Sequence, residues 1–264
     1  MSITPTMPGG IHAPVSMAVR SSFIRHEPAD AAGPGPDCLL RLHALTTQRR
    51  RVACGAELYR QGDNFAALYE IHAGAFKTCV TEGNSRHRVV GLHMTGDLLG
   101  LDGIAAERHS VAAVALEDAL VSVIPYDALN QLLQEFASLQ HEFHKVLSRE
   151  IVRNHAVMLL LGSVAAEGRV AAFLLDLIGR LRARGYSSSA FVLRLSRTEI
   201  GSYLGLQLET VSRTFSKLQS DRVLTVSRRS VCVLDEVALR RILQAPGGGN
   251  FCNCRATAMH CRMC

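Results

Sequence analysis

The stretch LSRTEIGSYLGLQLETVSRTFSKLQSDRVL, residues 195–224, predicts two short helices joined by a tight turn. Ser196 and Glu199 have the S-x-x-E spacing of a capping box, in which each side chain accepts a hydrogen bond from the other residue's backbone N–H. Gly205 is expected to end the first helix, because glycine enters the left-handed conformation without a steric cost. The stretch therefore predicts a helix–turn–helix unit.

The second helix of this unit has one apolar and one polar face. Its apolar residues recur at steps of three and four and are expected to point inward: Leu208, Val211, Phe215 and Leu218. The opposite face carries short polar and charged side chains: Glu209, Thr210, Ser212, Arg213, Ser216 and Lys217. An arginine donates two hydrogen bonds to guanine and a carboxylate accepts one from cytosine, so this face suits a major groove. The alternative is an ordinary surface helix with a solvated face.

The charge distribution favours DNA binding over that alternative. Residues 163–245 contain 13 Lys and Arg against 7 Asp and Glu, a net charge of +6, which equals the net charge of the whole chain. The excess positive charge therefore lies in the part that contains the helix pair, as binding to DNA phosphates requires.

The composition is that of a globular protein with room for two domains. The chain has 264 residues, of which 48% are hydrophobic and 20% charged. The longest unbroken apolar runs, such as residues 156–161, are too short to span a membrane, and the N-terminus lacks the apolar core of a signal peptide. We expect a cytoplasmic protein without a membrane partner, whose eight cysteines are reduced thiols or metal ligands.

The residue pattern changes along the N-terminal half of the chain. Residues 1–37 are rich in Pro, Gly, Ala and Ser and predict a disordered or irregular segment. A weak helical pattern over 38–45 follows, and the basic run at Arg49, Arg50 and Arg51 predicts a solvated turn. From 52 to 125, short alternating segments between glycines predict an antiparallel β-roll or jelly roll, with a hairpin loop at 82–85. We place this β-roll domain at 38–135.

A β-roll can also house a metal-dependent enzyme, which would need a cluster of histidines. His72, His87, His93 and His109 are scattered and contain no H-x-H pair. No nucleophile–base arrangement is supported either, so we expect a protein that is not an enzyme.

The sequence between the two domains predicts a long helix. A short helix at 126–133 precedes it, and the long helix runs from 136 to 161, within a segment assigned to 136–162. An apolar stripe with one asparagine follows steps of three and four: Phe143, Leu147, Ile151, Asn154, Met158 and Leu161. We interpret this stripe as a dimerisation seam, although part of it could pack on the β-roll of its own chain. A two-fold dimer would place two recognition helices about 34 Å apart.

The remaining elements complete a winged helix–turn–helix domain at 163–245. A helix is predicted at 165–184, and two short strands at 224–227 and 230–234 flank Arg228 and Arg229. This basic hairpin tip resembles the wing that contacts DNA beside a recognition helix. A final helix is predicted at 237–243.

The tail at 246–264 begins with a glycine-rich linker and ends in four cysteines: Cys252, Cys254, Cys261 and Cys264. Thiolates at this spacing could bind zinc or an iron–sulfur cluster. The alternative is a thiol-rich tail that holds no metal.

The order of these parts resembles the CRP/FNR family of bacterial transcription regulators over residues 48–243. The FNR branch is most similar, through ELYRQGDNFAALYEIHAG (57–74), TGDLLGLDGI (95–104) and IGSYLGLQLETVSRTFSKLQ (200–219). The resemblance implies an α+β fold in which a β-roll of the cyclic-nucleotide-binding type is followed by the dimer helix and the winged domain. It also implies that Glu209, Ser212 and Arg213 read TTGAT-type half-sites. By the same resemblance we expect a homodimeric activator that contacts RNA polymerase and responds to oxygen or redox state.

Two departures concern the sensor. FNR-type sensors hold a [4Fe–4S] cluster with three closely spaced cysteines before the β-roll and one inside it, whereas this chain has Cys38 and, at the internal position, Ser122. The cyclic-nucleotide branch uses Gly-Glu-Leu and a later Arg-Ser, where this chain reads Leu99-Gly100-Leu101-Asp102 and Arg108-His109-Ser110. A constitutive or cyclic-nucleotide-gated regulator therefore remains the alternative to oxygen control.

Overall fold

The computed structural model describes residues 36–82 and 86–244. Three predicted features lie wholly or mostly outside these residues: the irregular N-terminal segment, the hairpin loop at 82–85, and the tail with Cys252, Cys254, Cys261 and Cys264.

The N-terminal domain is a roll of two four-stranded antiparallel sheets. Its strands are β1 (Arg49–Val52), β2 (Glu57–Tyr59), β3 (Ala67–Ala73), β4 (Ala75–Glu82), β5 (Arg86–Met94), β6 (Leu98–Leu99), β7 (Ala112–Ala115) and β8 (Ala119–Pro125). One sheet has the order β1-β8-β3-β6 and the other β2-β7-β4-β5. Ile71, Phe76 and Val121 are almost fully buried between them. The predicted β-roll is confirmed.

The basic run is a strand rather than the turn we predicted. Arg49, Arg50 and Arg51 pair with β8, so that Arg49 lies opposite Ser122. All three arginines are exposed and only Val52 at the end of the strand is buried, so the run lacks the alternation that marks a strand in a sequence. β1 is the edge of its sheet, where charged side chains are common because they hinder pairing with another chain.

Three helices cover one side of the roll. They are α1 (Pro36–Leu45), α2 (Tyr126–Glu135) and α3 (Ala137–Ser163). Leu42, Leu129 and Leu139 bury their side chains in a common core with Leu68 of β3. Phe143 of α3 belongs to the same core, with only 5% of its surface exposed. The structure therefore removes Phe143 from the predicted dimer seam, because its side chain is already used by the β-roll.

The C-terminal domain is built on four helices and a small sheet. The helices are α4 (Ala166–Ala183), α5 (Arg197–Leu204), α6 (Leu208–Ser220) and α7 (Glu236–Gln244), and the strands are β9 (Ala190–Val192), β10 (Leu224–Ser227) and β11 (Ser230–Val233). The sheet order is β10-β11-β9, so β9, which we did not predict, pairs with the wing. Leu174 and Ile178 of α4 pack against Ile200 and Leu204 of α5 in one core.

A buried carboxylate joins the two domains and the long helix. Asp97, in the turn between β5 and β6, accepts hydrogen bonds from Arg180 Nη2 at 2.7 Å and Arg184 Nη2 at 2.5 Å, both on or just after α4. Arg153 of α3 approaches it at 3.8 Å. Burial raises the pKa of Asp97, but Arg180, Arg153 and Arg184 outweigh that effect and lower the pKa to about 2. The carboxylate is therefore charged and paired at neutral pH.

We expect Asp97→Asn to lower the free energy of unfolding by about 3–5 kcal/mol, because it leaves buried arginines without their counter-charge. The folded pKa lies below the unfolded one, so this contribution is present above about pH 4 and is lost as the pH falls towards about 2. Urea denaturation at neutral pH measures the loss. Asp176→Asn is the matched control, since Asp176 also pairs with Arg180 but is 53% exposed. Equal losses for the two variants would contradict the assignment.

His93 on β5 makes a second contribution to the pH dependence, with the same sign as that of Asp97. Burial lowers its pKa to about 3, with a smaller raising effect of Asp97 and lowering effects of Arg153 and Arg180. The unfolded chain therefore binds a proton more readily than the folded one, and stability falls as the pH drops below about 6.5. Between about pH 7.5 and about pH 5 we expect a loss of about 2 kcal/mol. This acid sensitivity should be smaller in His93→Gln and unchanged in His141→Gln, whose side chain is exposed.

Candidate nucleic-acid interface

The first helix of the pair begins with the predicted capping box. Ser196 Oγ accepts from the backbone N–H of Glu199 at 3.2 Å, and Glu199 Oε2 accepts from the N–H of Ser196 at 2.7 Å. Gly205 ends α5 in the left-handed region, with φ +62°. Both local predictions are confirmed, so the start and end of α5 are determined by its own sequence.

The turn between α5 and α6 requires a second glycine. A Cβ atom at Gly201 would lie 2.6 Å from the carbonyl oxygen of Leu206, so the turn can approach α5 this closely only because residue 201 has no side chain. The Leu206 N–H donates to the Gly201 carbonyl at 2.9 Å. These contacts fix the angle at which α6 leaves the turn.

The second helix presents the polar face that we predicted. Val211, Phe215 and Leu218 are buried in the domain core together with Thr214. Glu209, Ser212, Arg213 and Ser216 are exposed, and Thr210 is half-buried. The Nε of Arg213 lies 3.4 Å from the carbonyl oxygen of Glu209, one turn earlier. The helix therefore shows solvent a carboxylate, a hydroxyl and a guanidinium group within about one and a half turns.

One residue of the predicted inner face points outward. Leu208 is 42% exposed, although its spacing from Val211 and Phe215 placed it inside. It is the first residue of α6 and follows the turn directly. At a helix terminus the neighbouring turn of helix that would cover such a side chain is missing, so periodicity overestimates its burial.

The wing stands beside α6. β10 and β11 pair from Leu224↔Val233 to Ser227↔Ser230, which places Arg228 and Arg229 at the tip, both exposed. Arg228 has φ +56°, the conformation of a tight hairpin turn. The Leu193 N–H donates to the Arg229 carbonyl at 2.8 Å, so the chain next to β9 supports the base of the tip.

Two basic residues near α6 have partners within the chain. Lys217 Nζ contacts both carboxylate oxygens of Glu167 at 2.8 Å, and the pair is exposed to solvent. The guanidinium carbon of Arg197 lies 3.2 Å from the ring centre of Phe215, a cation–π contact. Partial burial lowers the pKa of Arg197 to about 10. Arg197 was not predicted as a site residue, and its place directly after the cap residue Ser196 is the signal that could have identified it.

The helix pair is also bound to the β-roll. Lys77 Nζ on β4 lies 2.5 Å from Glu199 Oε1, and Ser202 Oγ accepts from the backbone N–H of Val89 on β5 at 2.9 Å. Burial raises the pKa of Glu199, but the hydrogen bonds from Lys77 and Ser196 more than compensate and lower it. Glu199 therefore both caps α5 and attaches it to the β-roll. Lys77 was not predicted, because its separation of 122 residues from Glu199 leaves no local signal.

Both domains of the chain match known protein families. Residues 168–242 match the model of a Crp-like helix-turn-helix domain, and residues 49–136 match that of a cyclic nucleotide-binding domain. The transcriptional regulatory protein btr of Bordetella pertussis is 40% identical over 203 residues, which are 77% of this chain and 84% of that protein. The chain belongs to the CRP/FNR family of transcription regulators.

Other members of the CRP/FNR family are similar over the same region. The transcriptional activator protein anr of Pseudomonas aeruginosa is 37% identical over 75% of this chain and 81% of its own. The fumarate and nitrate reduction regulatory protein of Vibrio cholerae is 33% identical over 76% of this chain and 81% of its own. The solved structure of FixK2 from Bradyrhizobium japonicum superposes with a TM-score of 0.69 and 27% identity, covering 74% of this chain and 96% of that one. This chain is accordingly a DNA-binding regulator of the FNR/Anr-like group and not an enzyme.

The FNR-type iron–sulfur cluster does not fit its usual internal position here. Ser122 replaces the cysteine, is fully buried, and donates from Oγ to the Thr46 carbonyl at 2.5 Å. Its Oγ also lies 2.7 Å from His72 Nε2. The hydroxyl thus has two partners in the fold, and it is a poor ligand for iron. Among the residues with a described side chain, Cys54, Cys79 and Cys232 are free thiols, and no cluster of three His, Cys, Asp or Glu side chains could hold a metal.

The sequence predicts no membrane partner. Within residues 36–82 and 86–244, no helix is both long and apolar enough to cross a bilayer.

We expect Ser196→Ala to lower the free energy of unfolding by about 1 kcal/mol, because it removes the side-chain acceptor at the start of α5. Thermal or urea denaturation measures the change. Ser216→Ala deletes an exposed hydroxyl of α6 and should leave the stability within about 0.5 kcal/mol of wild type. A loss in Ser196→Ala no larger than that in Ser216→Ala would contradict the role of the cap.

Proposed function

We propose that the protein binds TTGAT-type palindromes as a homodimer and reads each half-site with Glu209, Ser212 and Arg213. The observation that carries the proposal is the exposed polar face of α6, where the three side chains lie beside each other while the opposite face is buried. Arg213 can donate two hydrogen bonds to guanine, and Glu209 can accept one from cytosine. The small side chain of Ser212 allows the helix to approach the bases closely. The family match over 168–242 supports the use of this helix.

The remaining basic and hydroxyl groups are proposed to bind phosphates and hold the register. Thr210, Ser216 and Lys217 flank the reading face, and Arg228 and Arg229 extend from the wing. The pair of Lys217 with Glu167 is solvent-exposed, so a phosphate can replace the carboxylate with little loss. Such contacts position a protein on DNA without reading its sequence.

We expect Arg213→Ala to weaken binding to the cognate palindrome by about 1–3 kcal/mol and to reduce discrimination at one base pair of each half-site. Arg228→Ala is the matched control for charge. It should weaken binding similarly on all sequences and reduce the slope of log affinity against log salt by about 1. Gel-shift titrations on cognate and substituted palindromes at several salt concentrations measure both effects. Unchanged cognate affinity in Arg213→Ala would refute the assignment.

The dimer is proposed to form along the second half of α3. Ile151 and Met158 are 55% and 68% exposed, and Val152 and Leu159 on the adjacent stripe are 60% and 64% exposed. Asn154 is exposed between them, and Leu147 and Leu161 are half-buried. An exposed apolar stripe of this length on one helix marks an interaction site, and a polar residue within it favours two strands in one register. A second copy of the chain is the occupant that the family implies.

We expect Ile151→Glu to convert the dimer to a monomer and to abolish DNA binding at concentrations where the wild type is saturated, because it buries a charge in the seam. Gln140→Glu adds a charge to an exposed position near the start of the same helix and should leave the dimer intact. Sedimentation velocity distinguishes the two. The wild type should be dimeric with or without oxygen. A wild-type monomer in air that dimerises only after anaerobic reconstitution would contradict this proposal.

Oxygen or redox state is the proposed input, with gene activation through RNA polymerase in the cytoplasm as the output. The names of the relatives support this, since two of those described are called a transcriptional activator and a fumarate and nitrate reduction regulator. Ser122 is not suited to bind iron, so an iron–sulfur cluster would need thiolates from elsewhere in the chain. The candidate ligands for such a cluster, or for zinc, are Cys252, Cys254, Cys261 and Cys264. Anaerobic purification followed by iron, sulfide and zinc analysis, before and after air, tests the input. Equal DNA affinity and metal content in both states would favour the constitutive alternative.

A further inference from the structure

The β-roll and α3 enclose a cleft of about 520 Å³. Its β-roll wall includes Leu101 and Asp102 of the 3-10 turn Leu101–Gly103, and Ser110 and Val111 just before β7. Glu150, Ile151 and Asn154 of α3 form the opposite wall. Residues 49–136 match a cyclic nucleotide-binding domain, so the polar groups of this cleft decide whether an anionic ligand can enter it.

The backbone donors in the cleft are already occupied by a side chain of the chain itself. Asp102 Oδ2 accepts from the Ser110 N–H at 2.7 Å, from Ser110 Oγ at 3.3 Å and from the Val111 N–H at 3.3 Å. Two adjacent backbone N–H groups and a hydroxyl that converge on one oxygen form a cradle for a negatively charged group. In this structure the group is the Asp102 carboxylate.

The other oxygen of this carboxylate is held from the β-roll core. The buried Tyr59 hydroxyl donates to Asp102 Oδ1 at 3.5 Å and accepts from the Gly100 N–H at 3.1 Å. His109 stacks on the Tyr59 ring at 3.7 Å, and its Nδ1 lies 3.7 Å from Asp102 Oδ2. Gly100 has φ +93°, which turns the chain so that Asp102 points back towards these donors. The carboxylate is therefore part of a connected network and not a surface side chain that happens to lie nearby.

The charge of the cleft disfavours a second anion. Of the described residues that line it, Asp102 and Glu150 are carboxylates, and none is Lys or Arg. The cleft wall also contains His93, whose imidazole stays neutral because burial lowers its pKa. A phosphate that entered the cleft would meet two like charges and find its backbone donors used.

We propose that Asp102 is a built-in anion that occupies the amide cradle of Ser110 and Val111 in this cleft and holds the 101–111 segment in place without a bound nucleotide. The chain thereby supplies from within the contacts that a phosphate ligand would otherwise make. Its consequence for regulation, which rests on the proposed function, is that DNA binding does not require a cyclic nucleotide. Removal of the carboxylate should expose a site for a small anion.

The experiment uses the full chain, wild type and Asp102→Ala, with sodium formate and cyclic AMP as probes and sodium chloride as the ionic-strength control. The variant should melt about 3–10 °C below wild type, because two backbone donors lose a charged acceptor. Formate should restore at least half of that difference, whereas chloride at equal ionic strength should not. Wild type should show no binding of cyclic AMP in isothermal titration and no change in melting temperature with either probe. Cyclic AMP binding by wild type, or a variant as stable as wild type, would overturn the proposal.

A milder pair of variants keeps the test decisive if Asp102→Ala does not fold. Asp102→Asn retains an acceptor oxygen without the charge, and Ser110→Ala removes one donor and leaves both N–H groups. Both should fold with smaller losses than expected for Asp102→Ala, and the loss should be larger for Asp102→Asn. The reverse order would contradict a charged acceptor at this position.

DNA affinity is measured separately, so that the two proposals can fail independently. Asp102→Ala should bind the palindrome at least about fivefold more weakly than wild type, and formate should reverse part of the loss. If wild type does not bind the palindrome, the proposed function fails while the formate effect on stability still stands. If wild type binds and formate rescues neither stability nor affinity of the variant, the built-in anion is refuted and the proposed function stands.

Discussion

The ion cluster around Asp97 is the constraint on which the arrangement of this protein depends. One buried carboxylate in a turn of the β-roll is shared by Arg153 of the long helix and by Arg180 and Arg184 of the DNA-binding domain. Three elements with different roles thus meet at a single charge. Since an unpaired buried charge is far more costly than an unpaired surface charge, the three elements cannot separate here without a large penalty. The cluster therefore specifies one relative orientation of the domains more strongly than apolar packing alone would.

Glu199 extends the same constraint to the helix pair of α5 and α6. It caps α5, and its second carboxylate oxygen contacts Lys77 of the β-roll. A shift of β4 would act directly on the first turn of α5, and α5 sets the angle of α6 through the close contact at Gly201. Local helix stability and domain docking thus share one side chain. A movement of the β-roll would consequently reach α6 through a short series of direct contacts.

The features that could be predicted from the sequence are those determined by neighbours in the chain. The capping box at Ser196, the left-handed end of α5 at Gly205 and the hairpin of the wing were all predicted, because each depends on residues only a few positions apart. Errors arose where tertiary context outweighs pattern. Phe143 belongs to the β-roll core although its helical spacing matches the dimer stripe, and Leu208 lies at a terminus that nothing covers.

Edge strands and distant ion pairs could not be predicted from such patterns, for a related reason. Arg49, Arg50 and Arg51 form a strand whose two faces are both exposed, so the hydrophobic alternation on which strand prediction relies is absent. The pairs of Lys77 with Glu199 and of Arg184 with Asp97 join residues 122 and 87 positions apart. Charged residues are numerous in any sequence, and only the fold determines which of them meet.

The two positions at which the family resemblance implies a cluster ligand and a nucleotide site are both occupied by structural hydrogen bonds in this chain. Ser122 joins β8 to the Thr46 carbonyl at the end of α1, and Asp102 joins the 101–111 segment to Tyr59. A signal that acted through either position would first have to break contacts that hold the β-roll together. The stripe on α3 differs, because Ile151 and Met158 leave 55% and 68% of their surface exposed. A signal that acted inside the β-roll would therefore cost part of the hydrogen bonding that stabilises the fold.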